Sequence, residues 1–577
     1  MLRRIVSPLL PLILVLAALP LQAAENALDA VSTDASAVLR LKKPLATIAK
    51  VADLADLVVK GSGDQIRQQS AALGLAISNP TLAGVDQESD WWVAVYAKGG
   101  EKEPDVVFIV PATDIKAMKE GLGESVKFME NGKLGVYTTD ADAATKTAAR
   151  LKGEGKSIST LIDKDSQAVF DSGDASIFIN IPQLAAAYKS DIEEAKQKFT
   201  ENLENAPIPP GGATGFDPKQ AVEVVGKIFA FLVQGMNDTR SCTVAATVSK
   251  EGLNFEDLVR LKGGTSTDKL LAKSPPGALG TLSSLPGGNL IYLGLTWDMS
   301  EFAKLSQGGG ALPGVKPEVA KEIENTTKDF AKLKYGSINA AFGLADTEGG
   351  AVRSVSVTEV DDPAKMRELS HKLLKAMGSI ETQGIKQTTT VKPDAEKYGK
   401  NSADVVTVKT EIDDPQNPLA AFMDRINAGL FGPDGMVTRN VYLKDRVVQT
   451  MGGGKQAMTD ALAALEKKPA DNGKSPVQQT RGKLGAKANV VFLFDLANTV
   501  AKILGIAVEN QLPLPIDADA VKDLLGKASY FGIGAATEPQ GLRVRTHLPV
   551  EQMQGVARIV KFFQENMGAG AGGAEEN

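Results

Sequence analysis

One stretch does most to limit how this chain can fold: residues 487–504, KANVVFLFDLANTVAKIL. A short apolar run leads to Asp495, and apolar residues at helical spacing follow. This is the signature of a strand that passes straight into a helix at a capping residue. The plan recurs at 174–188, DASIFINIPQLAAAY, and more loosely at 37–54 and 289–305. Four strand-to-helix junctions call for a duplicated architecture of sheet and helix. They carry no chemistry of their own.

Spacing supports the duplication. The turn residue Asn131 lies 44 positions before Ala175, and Lys444 lies 44 positions before Ala488. Each interval holds a hairpin, an alanine-rich helix, a polar stretch and a strand, in that order. The period is far longer than that of a solenoid repeat, so the pattern predicts two related halves rather than an array. Strand pairs recur at 91–96 with 106–110, at 126–129 with 134–138, and in the second half at 337–345 with 351–360 and 437–443 with 447–450. Asn131-Gly132 is a strong hairpin turn. Hairpins predict antiparallel pairing, and the helical patterns between them predict covering helices. The expected class is α+β, with two related halves, each mainly antiparallel sheet covered by helices.

The expected boundaries follow from composition. Residues 1–24 carry Arg3 and Arg4, then an apolar run broken by Pro11 and Pro20, then small residues before Ala24; this reads as a signal peptide. The first α+β half is expected at 25–274 and the second at 290–566. The Pro/Gly-rich stretch 275–289 between them reads as a linker. Residues 567–577, mostly Gly, Ala and Glu, read as a disordered tail. No later segment reads as transmembrane, because the best apolar stretch, 490–508, contains Asp495, Asn498 and Lys502. The single cysteine, Cys242, cannot form an intramolecular disulfide, so stability must come from apolar cores. Loss of Arg3 and Arg4 with the leader takes the net charge from −6 to −8. No basic block points to nucleic acid.

The usual catalytic constellations are absent. His371 and His547 are the only histidines, and neither has an HExxH neighbour. GxSxG is absent, and no GxGxxG opens a strand-turn-helix unit. Asn472-Gly473-Lys474-Ser475 ends like a phosphate loop, but Lys468 stands where the leading glycine belongs. Cys242, in a strand-like run, reads as a structural cysteine. The twin motifs at 358–363 and 410–415, TEVDDP and TEIDDP, read as strand ends with an Asp cap and an early Pro.

Three groups of residues are candidate sites. Asp163, Asp165, Asp171 and Asp174 place oxygens at calcium-loop spacing, although Ala168 replaces the turn glycine and Asp174 the usual final Glu. In the strand 91–96, alternation puts Trp92, Ala94 and Tyr96 on one face. If open, that face offers rings to a ligand, and if covered it is core. In the strand 542–548, Arg543, Arg545 and His547 share a face that could hold an anion or simply be solvated. The apolar, proline-rich loops at 208–210, 311–313 and 512–516 are further contact candidates. No cofactor is expected.

The signal ending in LQAAENAL, the run DASAVLRLKKPLATIAKVADL and the repeated strand-to-helix junctions together resemble large exported bacterial proteins of unknown function with tandem α+β repeats. The resemblance implies an architecture and supplies no catalytic residue. The leading expectation is an exported, periplasmic or extracellular, non-enzymatic binding or scaffolding protein with a protein, lipid or envelope partner. Two alternatives are a periplasmic carrier of lipid or another apolar ligand, and a carboxylate-based hydrolase.

Overall fold

The computed structural model describes residues 24–69, 72–100, 103–204, 226, 230–231, 233–296, 317–345, 350–382, 385–412, 418–466, 475–509 and 518–567. The chain is α+β and forms two compact units. Unit 1 comprises Met1–Phe199, Ala230–Lys269 and Glu538–Val550, and unit 2 comprises Thr200–Phe229, Leu270–Thr537 and Glu551–Asn577.

The strands of unit 1 are β1 (Ala37–Leu41), β2 (Trp91–Tyr96), β3 (Asp105–Pro111), β4 (Lys127–Asn131), β5 (Leu134–Thr138), β6 (Ala175–Asn180), β7 (Thr239–Ser249) and β8 (Gly252–Leu261). They lie in the order β4-β5-β3-β2-β1-β6-β7-β8, all antiparallel, and β19 (Gly541–Pro549) pairs along β8.

Unit 2 holds β9 (Ile291–Leu295), β10 (Tyr335–Leu344), β11 (Val352–Val360), β12 (Ser379–Thr382), β13 (Ile385–Tyr398) and β14 (Asn401–Ile412). It also holds β15 (Met436–Tyr442), β16 (Arg446–Met451), β17 (Val490–Phe494) and β18 (Phe531–Glu538). Their order is β12-β13-β14-β15-β16-β11-β10-β9-β17-β18, again all antiparallel.

Set side by side, the two orders are one topology. β4-β5-β3-β2-β1-β6-β7 corresponds to β15-β16-β11-β10-β9-β17-β18. Unit 2 adds β12, β13 and β14 beyond β15. The duplication read from spacing is therefore a duplication of strand order. The register fixes one equivalence: Ile177 faces Leu39 as Phe492 faces Leu293, so Asp495 corresponds to Asn180, the helix-capping position.

Period-two alternation decides which side chains are buried. In unit 1, Trp92, Ala94 and Tyr96 join one core with Val38, Ile109, Val136 and Phe178. Helices Ala141–Leu151 and Lys164–Ser172 close it with Ala143 and Phe170. Trp91 and Tyr137 face the other way, into a core closed by Ile48 of helix Pro44–Val58 and by Met118. In unit 2, Tyr292, Ala341, Val357, Val491 and Leu493 pack under Met458, Ala461 and Val477.

Three expectations change. Residues 275–289 are not a loose linker, because Gly280–Ser284 is a 3-10 helix and Leu279, Leu282 and Leu285 lie in the core of unit 2. Its leucines outweigh its prolines and glycines. The polar stretches before β6 and β17 contain helices, Lys164–Ser172 capped by Asp163 and Pro476–Lys483 capped by Ser475. The first-half boundary also moves, since β19 belongs to unit 1. The expected leader up to residue 23, the tail from residue 568 and the three proline-rich loops lie outside the described residues, while Ala24 opens helix Ala24–Asp29 and Met567 closes helix Val550–Met567.

Candidate functional site

Each unit has a sheet face that is apolar but not closed. In unit 2 it spans β10, β9, β17 and β18. The register aligns three rows across these strands: Ile338, Leu295, Val490 and Ala535; Ala340, Leu293, Phe492 and Ile533; Phe342, Ile291, Phe494 and Phe531. All twelve are apolar. Only Ala340 is fully buried, and Phe342 is 40% exposed. The opposite side chains of the same strands, Tyr292, Val491 and Leu493, are 0% exposed. One face of this sheet is thus a finished core, and the other is an apolar surface still in contact with solvent. Contiguous surfaces of this kind mark binding sites more often than they mark bare protein.

Helix Leu496–Glu509 runs beside this face. Its Lys502 Nζ donates to the Leu344 carbonyl at the end of β10, 2.8 Å away, and burial pushes the ammonium below its ordinary range. Asp495 starts the helix as the sequence predicts. Its carboxylate accepts from Asn498 N and Nδ2, from Gln552 Nε2 and from Ser529 N and is 1% exposed, so it caps the helix and ties it to Gln552 and Ser529.

The equivalent face of unit 1 spans β6, β7, β8 and β19. It carries Ile177 and Ile179, Cys242, Val244 and Ala246, Phe255, Asp257 and Val259, and Leu542 and Val544, all half-buried. One residue breaks the pattern. Asp257 lies directly between Val244 of β7 and Val544 of β19, with Phe255 and Val259 above and below on its own strand. Burial, with Glu256 adding to it, raises its carboxyl above the ordinary range. Burial and then Asp257 push the Cys242 thiol up to about 12, which makes it a poor nucleophile at neutral pH.

The residues nominated from sequence go elsewhere. Trp92 and Tyr96 are 1% and 4% exposed in the core of unit 1, so the covered alternative holds and their face offers no rings to a ligand. Arg543, Arg545 and His547 share a face of β19, as alternation predicts, but each has a partner. Arg543 binds Glu256 (2.5 Å) and Glu538 (2.5 Å), Arg545 binds Glu256 (2.8 Å), and His547 Nδ1 bonds Asn254 (2.8 Å). Two carboxylates match two guanidinium groups, leaving little net charge for an anion.

The four aspartates do not converge on a cation. Asp163 caps a helix and binds Arg240 and Arg260, and Asp165 also binds Arg260. Asp171 accepts from Gln167, while Asp174 binds Lys50 and accepts from Val248 N. No group of three or more His, Cys, Asp or Glu among the described residues could hold a metal ion.

One cluster was invisible in the sequence. Asp404 of β14, 1% exposed, accepts from Arg367 at 2.8 and 2.5 Å, from His371 Nε2 at 2.7 Å and from Asp394 N at 2.9 Å. Arg367 and His371 sit one turn apart on helix Pro363–Ala376, whose cap is Asp362, as its DDP motif predicts. Burial opposes ionisation of Asp404, but Arg367, the Asp394 amide and His371 outweigh it and hold the carboxyl below its ordinary range. A His-Asp pair could orient a general base. Here the only hydrogen bond of His371 among the described residues is to Asp404, with no hydroxyl or thiol in line to be activated. The cluster clamps the helix to the added hairpin.

Comparison of the chain with protein-family models, with curated proteins and with solved structures finds no match.

Proposed function

We propose that this is an exported, non-enzymatic binding protein for an apolar or amphiphilic ligand, with the open sheet face of unit 2 as the receiving surface. The observation that supports it most is the three-row apolar face on β10, β9, β17 and β18, with Phe342 40% exposed beside a completed core. Apolar area withdrawn from water stabilises a complex by about 25 cal/mol per Å². Twelve contiguous apolar side chains therefore suit an alkyl chain or ring system. No helix among the described residues is long and apolar enough to cross a membrane.

The test is direct. Residues 25–577 are purified without detergent, and bound molecules are extracted into organic solvent and identified by mass spectrometry. In parallel, a neutral apolar fluorophore, N-phenyl-1-naphthylamine, is titrated into the protein. The reading expects an extracted amphiphile or saturable probe binding, weakened by Phe342→Ser and Phe492→Ser. A chain that yields no ligand and leaves the probe dark overturns it.

A further inference from the structure

We infer that the open face of unit 1 binds an amphiphilic cation, an alkyl chain ending in a protonated amine, with Asp257 as the counter-ion. The inference rests on the binding reading above and adds a head-group chemistry and a second surface.

Four observations carry it. Asp257 is in the interior of the sheet, because β8 is paired on one side by β7 and on the other by β19. It is therefore not one of the charges that guard an exposed sheet edge against aggregation. Its four nearest positions on the same face, Val244, Val544, Phe255 and Val259, are all apolar.

Among the described residues its carboxylate has no hydrogen-bond or ion-pair partner. Every other acid discussed on these strands has one: Glu256 takes Arg543 and Arg545, and Glu538 takes Arg543. Burying an ion without a partner costs free energy, so a lone carboxylate here is a site that a cation would complete.

The equivalent position in the second copy is also informative. Asp257 stands five residues after the hairpin glycine Gly252, and Thr546 stands five after Gly541. The copy of this strand has a neutral side chain where β8 has a carboxylate. The fold thus builds this strand without an acid.

Charge complementarity selects the occupant. The surround is apolar and takes an alkyl chain, and the one unsatisfied group is anionic and takes a cation. A charge-assisted N–H to carboxylate bond in a partly dry setting is stronger than its counterpart in water. A fatty acid would place two negative charges together, and an alcohol would leave the carboxylate without a counter-ion.

The experiment uses residues 25–577 and three ligands of equal chain length, decylamine, decanol and decanoate, each below its micelle concentration, by isothermal titration calorimetry. Decylamine is expected to bind about tenfold more tightly than decanol, with decanoate weakest. Asp257→Asn should bring decylamine to within about twofold of decanol, while Asp257→Glu keeps the preference. Circular dichroism establishes that both variants are folded. Equal affinity of the wild-type chain for decylamine and decanol, or an amine preference that survives Asp257→Asn, overturns this inference and leaves the apolar reading standing. Absence of binding by all three ligands, together with a dark neutral probe, overturns both.

Discussion

Glu256 and Arg545 stand opposite each other in the ladder between β8 and β19, with Arg545 Nη2 2.8 Å from Glu256 Oε1. Each lies four residues after the glycine that opens its own strand, Gly252 and Gly541. The pairing is symmetric about them: Gly252 meets Pro549 and Gly541 meets Arg260. The two strands thus meet in a register symmetric about this pair, and the opposite charges stand at its centre.

Glu256 is the shared acceptor of Arg543 and Arg545, whereas Arg543 also holds Glu538. Glu256→Gln should therefore cost about 1–2 kcal/mol, and the cost should shrink at high salt because these groups are partly solvated. Urea midpoints of the two chains at low and high salt measure both effects.

Asp404 gathers four donated hydrogen bonds in a buried setting, so Asp404→Asn should destabilise unit 2 by about 3 kcal/mol. The pH dependence has a definite sign. The folded-state carboxyl is held below its ordinary 3.8, so its contribution is fully present above that value and is lost as pH falls through the folded value. The stability gap between the two chains, followed by thermal denaturation, should be constant near neutrality and close in strong acid.

Asp257 behaves in the opposite sense. Its folded-state carboxyl is raised above 3.8, so above that value the unfolded chain releases the proton more readily than the folded one. Its contribution to stability falls as pH rises from there until the folded carboxyl has also ionised. Asp257→Asn should raise the thermal midpoint at neutral pH and leave it unchanged at about pH 3.

Phe342 and Trp92 make a contrasting pair. Phe342→Ser removes a ring that is 40% exposed and should change stability by less than about 1 kcal/mol while weakening uptake of an apolar probe. Trp92→Ala empties a site 1% exposed and should cost about 3–5 kcal/mol. Comparable losses of stability at the two positions would mean that the face of unit 2 is core.

Cys242 should resist alkylation. With its thiol pushed up to about 12, iodoacetamide at neutral pH should modify the folded chain far more slowly than the urea-unfolded chain.

Much of the architecture is legible in the sequence because hairpin turns and alternation are local signals. Asn131-Gly132 turns β4 into β5, and alternation puts Trp91 and Trp92 in different cores. The candidate surfaces were not legible. A half-open apolar strand such as β17 has the same composition as a buried one, so nothing in VVFLF separates Phe492 from Leu493. Asp257 looks like any polar residue in an alternating strand until the register shows valines on both sides. Arg367, His371 and Asp404 are brought together by the inserted hairpin β13-β14, a long-range arrangement that no local pattern announces. Arg543 and Arg545 read as an anion site because their acidic partner Glu256 is nearly three hundred residues away.

The ninth strand of unit 1, residues 541–549, comes from the far end of the chain. A ribosome must translate all of β9 to β18 after β8 before that strand exists. Until then β8 is a bare edge, its amides and carbonyls unpaired toward solvent and open to any passing strand. Unit 1 therefore cannot finish folding as it emerges from the ribosome. A nonsense mutation between β8 and Gly541 would disable the first unit as well as truncate the second. A chain cut there should give an insoluble product rather than a shortened working one.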